Sequence, residues 1–458
     1  MLPDVALLRI FDFYLNEAPI AVLVHVCRTQ VEAWHTLVHV CRTWRNVVFG
    51  SPRRLNLRLY CRDITPVRQT LDVWPLLPIV VHVSTFDRWY EGNIIAALGH
   101  HERISELVIL EIPSSETEKA LTALQKPFPA LIRLKFGFWP QSAPVLPASF
   151  LGGSAPALQS LFLTSIPFPE LPKLLLSATH LVELDIRRIP HSGYISPEAI
   201  LTSLSVLTRL ERLTIKFESP LSRPDRKTRR PPPPIRTLLP VLTLLSFEGV
   251  SEYLEDLVAP IDAPQLDQLR INVFHQRTFH SPQLTQFISR TPKFKAQDEA
   301  HVTFSYDDVM VVLPRTVTYD GVLELGILCR EPYWQLSSVT QVCSSFLPQT
   351  LIRTVENLYI RSRCYWQYDD DIERSQWLEL FRPFTAVKVL YMPSNFILYM
   401  VPALKELVGV RVTEVLPALQ SLFLGGGGLF LWGDMEQFVT ARQIAGHPVA
   451  LFLWKGEY

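Results

Sequence analysis

The chain has 458 residues, of which 48% are hydrophobic, 11% aromatic and 19% charged, a composition that argues against general disorder. Its 44 basic and 44 acidic residues cancel, so the whole chain has no general electrostatic attraction to nucleic acid or to anionic lipid. This length is enough to bury a large core, either in two or more domains or in one array of repeats.

The cysteine pattern and the lack of a leader-like segment predict a soluble intracellular protein. The six cysteines are scattered along the sequence and none forms a CxxC pair, which favours reduced, buried thiols. No basic segment precedes an apolar one near residue 1, and no run of 18 apolar residues occurs. We therefore expect a cytoplasmic location, a nuclear location, or both.

Two amphipathic helices are predicted within residues 1–52. The first begins near Asp4, after a proline at a position that the start of a helix tolerates. The second ends before Gly50 and Pro52, since glycine suits the position after a helix and proline cannot extend one. Its apolar face consists of Leu37, Val40, Cys41, Trp44, Val47 and Val48.

The near-terminal run LPDVALLRIF and the later run VCRTWRNVVF resemble the two halves of an F-box, the short helical domain that joins a substrate adaptor to a cullin-type ubiquitin ligase. The longer segment 32–55 is similar to the F-box family that is abundant in fungi. The resemblance implies that residues 1–52 bind a Skp-type adaptor and, through it, a cullin. The residues that match adaptor-facing or core positions of the family are Leu2, Pro3, Leu7, Leu8, Phe11, Val40, Cys41 and Trp44.

A duplication interrupts this F-box pattern. The run LVHVCRT occurs at residues 23–29 and again at 37–43, an offset of 14 residues and close to four helical turns. Either both copies extend one docking face, or the first is a local duplication or a gene-prediction error that lies in a loop. Only the second copy is followed by Trp44 and Arg45, so the F-box helix is placed there.

Beyond Pro52, two apolar residues separated by one residue recur at intervals of 23 to 33 residues. Four copies share the form Pro-x-Leu-x-x-Leu, beginning at Pro129, Pro156, Pro264 and Pro417. The pairs are Leu55/Leu57, Val81/Val83, Leu107/Ile109, Leu134/Phe136, Leu161/Leu163, Leu184/Ile186, Leu213/Ile215, Leu245/Phe247, Leu269/Ile271, Val302/Phe304, Leu325/Ile327, Leu358/Ile360, Leu390/Met392, Leu422/Leu424 and Leu451/Leu453.

This is the LxxLxL strand pattern of a leucine-rich repeat, with helical stripes between the strands. The sequence therefore predicts an α/β protein in which a helical F-box, residues 1–52, precedes a leucine-rich-repeat-like solenoid, residues 53–445, with parallel strands inside and helices outside. Residues 446–458 are expected to form a terminal strand or cap. The repeat lengths scatter most after Leu269, which predicts an irregular second half. The alternative is a coincidence of leucines in an apolar chain.

Residues 219–234 form a basic, proline-rich insert between repeats, where four consecutive prolines favour an extended conformation. Its cluster Arg226, Lys227, Arg229 and Arg230 is either a nuclear import signal or a solvated loop.

No segment has a spacing that indicates catalysis or metal binding. Gly425–Gly428 lacks the following Lys-Ser/Thr of a phosphate-binding loop, and Asp369–Asp371 lacks the alternation of a calcium loop. His25 and His39 lie two residues before cysteines, a separation that does not share a helix face. We therefore expect no enzyme activity, no cofactor and no bound metal.

In each predicted strand, the residues between the paired leucines point away from the core, onto the open face of the sheet. These residues alternate in charge and include aromatics, which favours a protein target over nucleic acid or membrane. Together with this surface, the F-box resemblance implies the substrate-recognition subunit of a Skp–cullin–F-box ubiquitin ligase; the alternative is a leucine-rich-repeat scaffold without a ligase role. Targets could instead bind the loops or the irregular second half. The predicted target-binding residues are Arg133, Lys135, Phe162, Glu183, Asp185, Arg212, Arg270 and Tyr359.

Overall fold

The fold was analysed in a computed structural model of the chain. The residues it describes are 6–10, 40–50, 57–61, 66–84, 92–110, 114–138, 144–224, 236–276, 279, 281–314, 321–329, 331–363, 374–407, 411–425 and 432–454. They divide into two compact units, Met1–Leu181 and Val182–Tyr458.

The first unit alternates strands with helices, and its neighbouring strands are also neighbours in the sequence. Strands β1 to β5 pair in that order and run parallel. The strands are β1 Leu57–Tyr60, β2 Ile79–Ser84, β3 Ile104–Leu110, β4 Arg133–Gly137 and β5 Ser160–Thr164. The helices are α1 Arg42–Gly50, α2 Val67–Val73, α3 Asn93–Leu98, α4 Ser114–Ala123 and α5 Leu171–Leu175.

The second unit continues the same α/β alternation. Its strands are β6 Glu183–Ile189, β7 Arg212–Phe217, β8 Thr237–Leu238, β9 Leu244–Gly249, β10 Ile261–Asp262, β11 Gln268–Phe274, β12 Glu299–Phe304, β13 Asp308–Leu313, β14 Val322–Leu328, β15 Asn357–Ser362, β16 Val389–Met392, β17 Ser421–Gly425 and β18 Ala450–Trp454. Its helices are α6 Pro197–Leu204, α7 Ser251–Val258, α8 Pro282–Arg290, α9 Pro332–Gln341, α10 Gln349–Ile352, α11 Arg374–Phe381, α12 Ser394–Lys405 and α13 Trp432–Ile444.

The main sheet of the second unit has the strand order β6-β7-β9-β11-β14-β13-β12-β15-β16-β17-β18, while β8 and β10 pair separately. Within the described residues, β13 alone runs antiparallel to its neighbours. The expectation of an α/β chain dominated by parallel strands is therefore confirmed, and the repeats are leucine-rich-repeat-like.

The paired apolar residues of the strands form the core, because a parallel register places them side by side. Leu107, Leu134 and Leu161 are in register on β3, β4 and β5, and each is 0% exposed. Full burial of one leucine side chain contributes about 1.5–3 kcal/mol, so every stacked pair adds to the hydrophobic stabilisation. The predicted helical stripes are buried as well, among them Leu174, Leu204 and Leu257.

The first predicted strand pair is shifted in the structure. The pair Leu55/Leu57 was expected, but β1 begins at Leu57 and its register places Leu59 beside Val81. The buried Cys61 then continues the ladder through a 3.0 Å hydrogen bond from its N–H to the His82 carbonyl. The in-register pair is therefore Leu59/Cys61, with a cysteine in place of a leucine; Leu55 itself lies outside the described residues.

The second correction concerns residues 299–328, where the strands do not follow one another in sequence order. Strands β12, β13 and β14 form an antiparallel meander, and its last strand, β14, pairs with β11. Leu269 therefore lies opposite Leu323, so the pair in register with Leu269/Ile271 is Leu323/Leu325 and not Leu325/Ile327. The prediction of consecutive parallel strands was wrong here, although the irregularity falls after Leu269 as expected.

Candidate protein-interaction surface

The open face of the second unit has a depression with a volume of about 310 Å³. We call it the charged depression. It is formed by the side chains that alternate with the core residues on β6, β7, β9, β11 and β14, together with part of β13. Its lining residues are Glu183, Asp185, Arg187, Arg212, Thr214, Lys216, Leu244, Ser246, Phe247, Arg270, Ile271, Asn272, Met310 and Glu324.

Small polar side chains form the floor of the charged depression. Thr214 and Ser246 are in register on β7 and β9, and they are only 7% and 8% exposed. The register continues from Thr214 to Asp185 on one side and from Ser246 to Arg270 on the other. The longer side chains of Arg187, Arg212 and Arg270 stand around these two short ones, which leaves the open space above the floor.

Gly326 on β14 leaves the space that the side chain of the lining residue Asn272 occupies. A Cβ atom at Gly326 would lie 2.0 Å from Oδ1 of Asn272, far closer than two such atoms can approach. The bare backbone of β14 therefore lets the Asn272 side chain lie across it. A larger residue at this position would push that amide elsewhere.

Positively and negatively charged side chains surround the floor and form ion pairs with one another. Arg187 donates two hydrogen bonds to the Asp185 carboxylate, both 2.8 Å long, and this hydrogen bonding raises the pKa of the Arg187 guanidinium. Since Asp185 is 7% exposed, it holds Arg187 in place more than it faces solvent. The remaining pairs join neighbouring strands: Arg212 to Glu183 at 3.4 Å, Lys216 to Glu248 at 3.4 Å, and Arg270 to Glu324 at 3.5 Å.

These half-exposed pairs contribute little to folding, because solvent screens them and ordering long side chains costs entropy. The Arg212 and Arg270 side chains keep 55% and 48% of their surface exposed. Both are therefore available to a carboxylate brought by a partner, at positions that the pairing already fixes.

A second feature, which we call the aromatic column, crosses the other part of the open face in this unit. The in-register positions of β12, β15, β16, β17 and β18 carry His301, Tyr359, Tyr391, Phe423 and Phe452. Successive ring centroids are 4.6, 4.2, 4.6 and 4.8 Å apart, and the last three pairs are stacked with interplanar angles of 6° to 18°. Such cross-strand aromatic contacts stabilise a sheet.

Burial shifts the pKa values of two members of the column, His301 and Tyr359. Burial, aided by Arg361, lowers the pKa of His301 to about 4. Burial and a hydrogen bond with Tyr391 raise the pKa of the Tyr359 hydroxyl above its ordinary value. Both side chains are therefore uncharged at neutral pH.

The predicted target-binding residues fall into separate groups. Glu183, Asp185, Arg212 and Arg270 line the charged depression, and Tyr359 belongs to the aromatic column. The other three, Arg133, Lys135 and Phe162, lie on the open face of the first unit. There Arg133 and Lys135 are exposed, Phe162 is half-buried, and Arg133 is 3.3 Å from Glu106.

Sequence reasoning missed Arg187, Lys216, Glu324 and Tyr391. Arg187 and Lys216 lie two residues further along β6 and β7 than the outward residues that the sequence had identified. Glu324 is an outward residue on the shifted register of β14. Tyr391 lies between the predicted pair Leu390/Met392, so the same alternation could have found it.

The predicted adaptor-binding residues are described only in part. Residues 6–10 are helical, with Leu7 4% exposed and Leu8 half-buried. Just before α1, Val40 is 55% exposed and Cys41 is exposed, while Trp44 within α1 is half-buried. Outside the described residues lie Leu2, Pro3, Phe11, the copy at 23–29, His25, His39, Arg226, Lys227, Arg229, Arg230, Asp369–Asp371 and residues 426–428.

Metal ligands and nucleophilic thiols would be two other kinds of functional site in the described part of the chain. It contains no group of three or more His, Cys, Asp or Glu residues that could hold a metal ion. Burial raises the pKa of the Cys329 and Cys343 thiols to about 11 and about 12, so both are protonated at neutral pH and poor nucleophiles.

None of the helices among the described residues is long and apolar enough to cross a membrane.

Comparison with known proteins identifies no family. No protein-family model matches the chain, and no curated protein matches it. Among solved structures, the leucine-rich repeat-containing protein LegL7 from Legionella pneumophila is similar at 11% sequence identity, over 86% of this chain and 99% of that one, with a TM-score of 0.29. A TM-score at this level carries no argument, so the fold and the surface rest on the geometry described above.

Proposed function

We propose that this chain is a non-catalytic scaffold that recognises a protein target through the open face of its second unit. The charged depression is the observation that carries this proposal. It combines paired charges of both signs, half-exposed arginines and a recessed polar floor on five adjacent strands. Arginine is enriched among the residues that dominate protein–protein binding energy, and charges of both signs set the register of a partner.

Other ligand classes fit this surface less well. A nucleic-acid groove carries an excess of cations along the phosphate path, whereas Arg187, Arg212, Lys216 and Arg270 each have a carboxylate within 3.5 Å. A small-molecule site usually encloses most of its ligand in an apolar cavity. The charged depression is open and polar, which suits the side chains of a partner protein.

The test is quantitative affinity capture with the double variant Arg212→Glu and Arg270→Glu. We expect target proteins recovered with the wild-type chain to be lost with this variant, because both half-exposed cations of the depression change sign. The matched control is Arg353→Glu, which reverses an exposed arginine that follows α10 and lies off the sheet face. Targets that survive the double reversal at wild-type levels would exclude the depression as the binding surface.

We further propose that residues 1–52 dock a Skp-type adaptor, which would make the chain the substrate-recognition subunit of a cullin-based ubiquitin ligase in the cytoplasm or nucleus. This second proposal is supported by the F-box resemblance and by the exposure of Val40 and Cys41 beside α1. Its mechanism is proximity, because tethering a target beside the ligase turns a bimolecular transfer into a nearly unimolecular one.

Binding of a purified Skp-type adaptor tests the ligase proposal directly. The double change Leu8→Ala and Val40→Ala should weaken adaptor binding by about 2 kcal/mol or more, on the scale of truncated interface anchors. The control is Val73→Ala, which truncates a valine on α2 that is 83% exposed. If the wild-type chain does not bind the adaptor, the scaffold proposal stands without the ligase role.

A further inference from the structure

Among the described strands, β18 forms one edge of the sheet in the second unit. Strand β18 pairs with β17 in unbroken parallel register, and no described strand lies on its other side. Edge strands of monomeric proteins usually carry a charge, a proline or a bulge that prevents further pairing. The five residues of β18, Ala-Leu-Phe-Leu-Trp, contain no charge and no proline.

Both faces of β18 expose apolar surface. Phe452, at the end of the aromatic column, is 43% exposed, and Leu453 is 59% exposed. Leu453 lies in register with Leu424, which is 5% exposed. The position that forms core in the preceding strand is therefore uncovered in this one, and one more strand would cover it.

We propose that β18 pairs antiparallel with β18 of a second copy of this chain, about a two-fold axis at Phe452. This register is the one that uses all five strand residues. Phe452 then faces Phe452 of the partner subunit, Leu451 faces Leu453 of the partner subunit, and Ala450 faces Trp454 of the partner subunit.

The sequence of β18 is complementary to itself under this two-fold axis, and that complementarity identifies the occupant. The smallest residue of the strand meets the largest, so Ala450 leaves room for an indole. On the core side the two leucines cover each other, and on the open side the aromatic column continues from one copy into the next. An antiparallel pair of identical strands is also the arrangement that closes a symmetric dimer.

The size of the contact sets the expected affinity. Five residues of strand edge bury less than the roughly 1,600 Å² of a standard stable interface, so association in the micromolar range is expected. Sedimentation velocity of the full-length chain over a concentration series should show a monomer that converts to a dimer.

Two single variants should weaken the dimer at least tenfold. Phe452→Lys places two like charges opposite each other at the axis. Ala450→Trp opposes two indoles where one small residue is required, and it changes a position that is exposed in the single chain. The control is Tyr306→Lys, an equivalent aromatic-to-lysine change at a residue that is 70% exposed between β12 and β13, and it should associate like the wild-type chain.

The decisive variant exchanges the two end residues, Ala450→Trp with Trp454→Ala. It keeps the large-to-small match in the proposed register, so it should restore the dimer that Ala450→Trp alone disrupts. A wild-type chain that stays monomeric, a dimer insensitive to both single changes, or a double exchange that fails to restore association overturns the proposal. Circular dichroism confirms that each variant is folded; if Phe452→Lys does not fold, Ala450→Trp and the exchange decide the outcome.

Discussion

The carboxylate of Glu255 on α7 accepts a 2.8 Å hydrogen bond from the backbone N–H of Leu284 on α8, the helix of the next repeat. Its other oxygen accepts the N–H of Gln283 at 2.9 Å. The first N–H groups of a helix have no partner within it, and they attract negative charge. Ser281, the residue before α8, makes no capping hydrogen bond with its side chain, so a carboxylate from the preceding repeat takes that role.

Replacing Glu255 with alanine should destabilise the second unit by about 2–3 kcal/mol, because one buried and one partly buried N–H group lose a charged acceptor. Glu255 is 2% exposed, so water cannot easily replace it. Chemical denaturation measures the change, and Glu255→Gln should have a smaller effect because its amide oxygen still accepts one bond. Glu211→Ala, at an exposed glutamate, is the control and should stay within about 0.5 kcal/mol of wild type.

The buried Arg442 on α13 should be irreplaceable by lysine. Its guanidinium donates to the carbonyls of Val412, Leu416 and Leu419 at 2.9 to 3.3 Å, and the residue is 0% exposed. A lysine ammonium lacks the fork that reaches several carbonyls at once, so both Arg442→Lys and Arg442→Ala should loosen residues 411–419. Hydrogen exchange of that segment should accelerate in both variants. Unchanged protection would show that the segment holds its conformation without the guanidinium.

Gly326→Ala should impair target capture while changing stability little. The added Cβ would displace the Asn272 amide from the charged depression, and that amide is the end of a side chain that can move. A second change, Asn272→Ala, removes the clash without restoring the amide. If Asn272 contributes to binding, the double variant binds as poorly as Asn272→Ala alone; if binding is normal in all three variants, this corner of the depression does not contact the target.

The stability of the second unit should fall with acidification through the His301 side chain. Burial lowers the pKa of His301 to about 4, whereas an unfolded histidine titrates near its ordinary value of 6.5. Between these values the unfolded chain binds a proton that the folded chain does not, so stability is complete above about pH 6.5 and is lost as the pH falls toward 4. The thermal midpoint of His301→Phe should decline less over this range than that of wild type. His447→Phe, at an exposed histidine, should follow the wild-type curve.

Alternation of apolar residues was enough to locate most strands, because a half-buried strand repeats every two residues whatever its neighbours are. The same two-residue periodicity occurs whichever direction a strand runs, so it could not reveal that β13 is antiparallel to its neighbours. The run DVMVVL has the pattern of a strand but lies between two expected repeats, where a parallel array leaves no place for it. Leucine spacing therefore predicted the class of the fold and not the strand order after β11.

The sequence predicted some residues of the candidate surface but not the contacts between them. Outward positions such as Arg212 and Arg270 follow directly from alternation within their own strands. The partners that orient them, Glu183 and Glu324, depend on which strands become neighbours, and for β14 that order departs from the sequence. The contact between Glu255 and Leu284 spans 29 residues and joins helices, so no strand periodicity could indicate it.

The meander of β12, β13 and β14 has a mechanical consequence. A chain pulled from its C-terminal end would first release β18, β17, β16 and β15, in that order. Each of these strands pairs with only one other strand at the moment it is released, because its second neighbour has already left the sheet or was never present among the described strands. The next strand along the chain is β14, which is held between β11 and β13. Its extraction must break two ladders at once, so a force–extension trace should show a series of small steps followed by one high rupture peak.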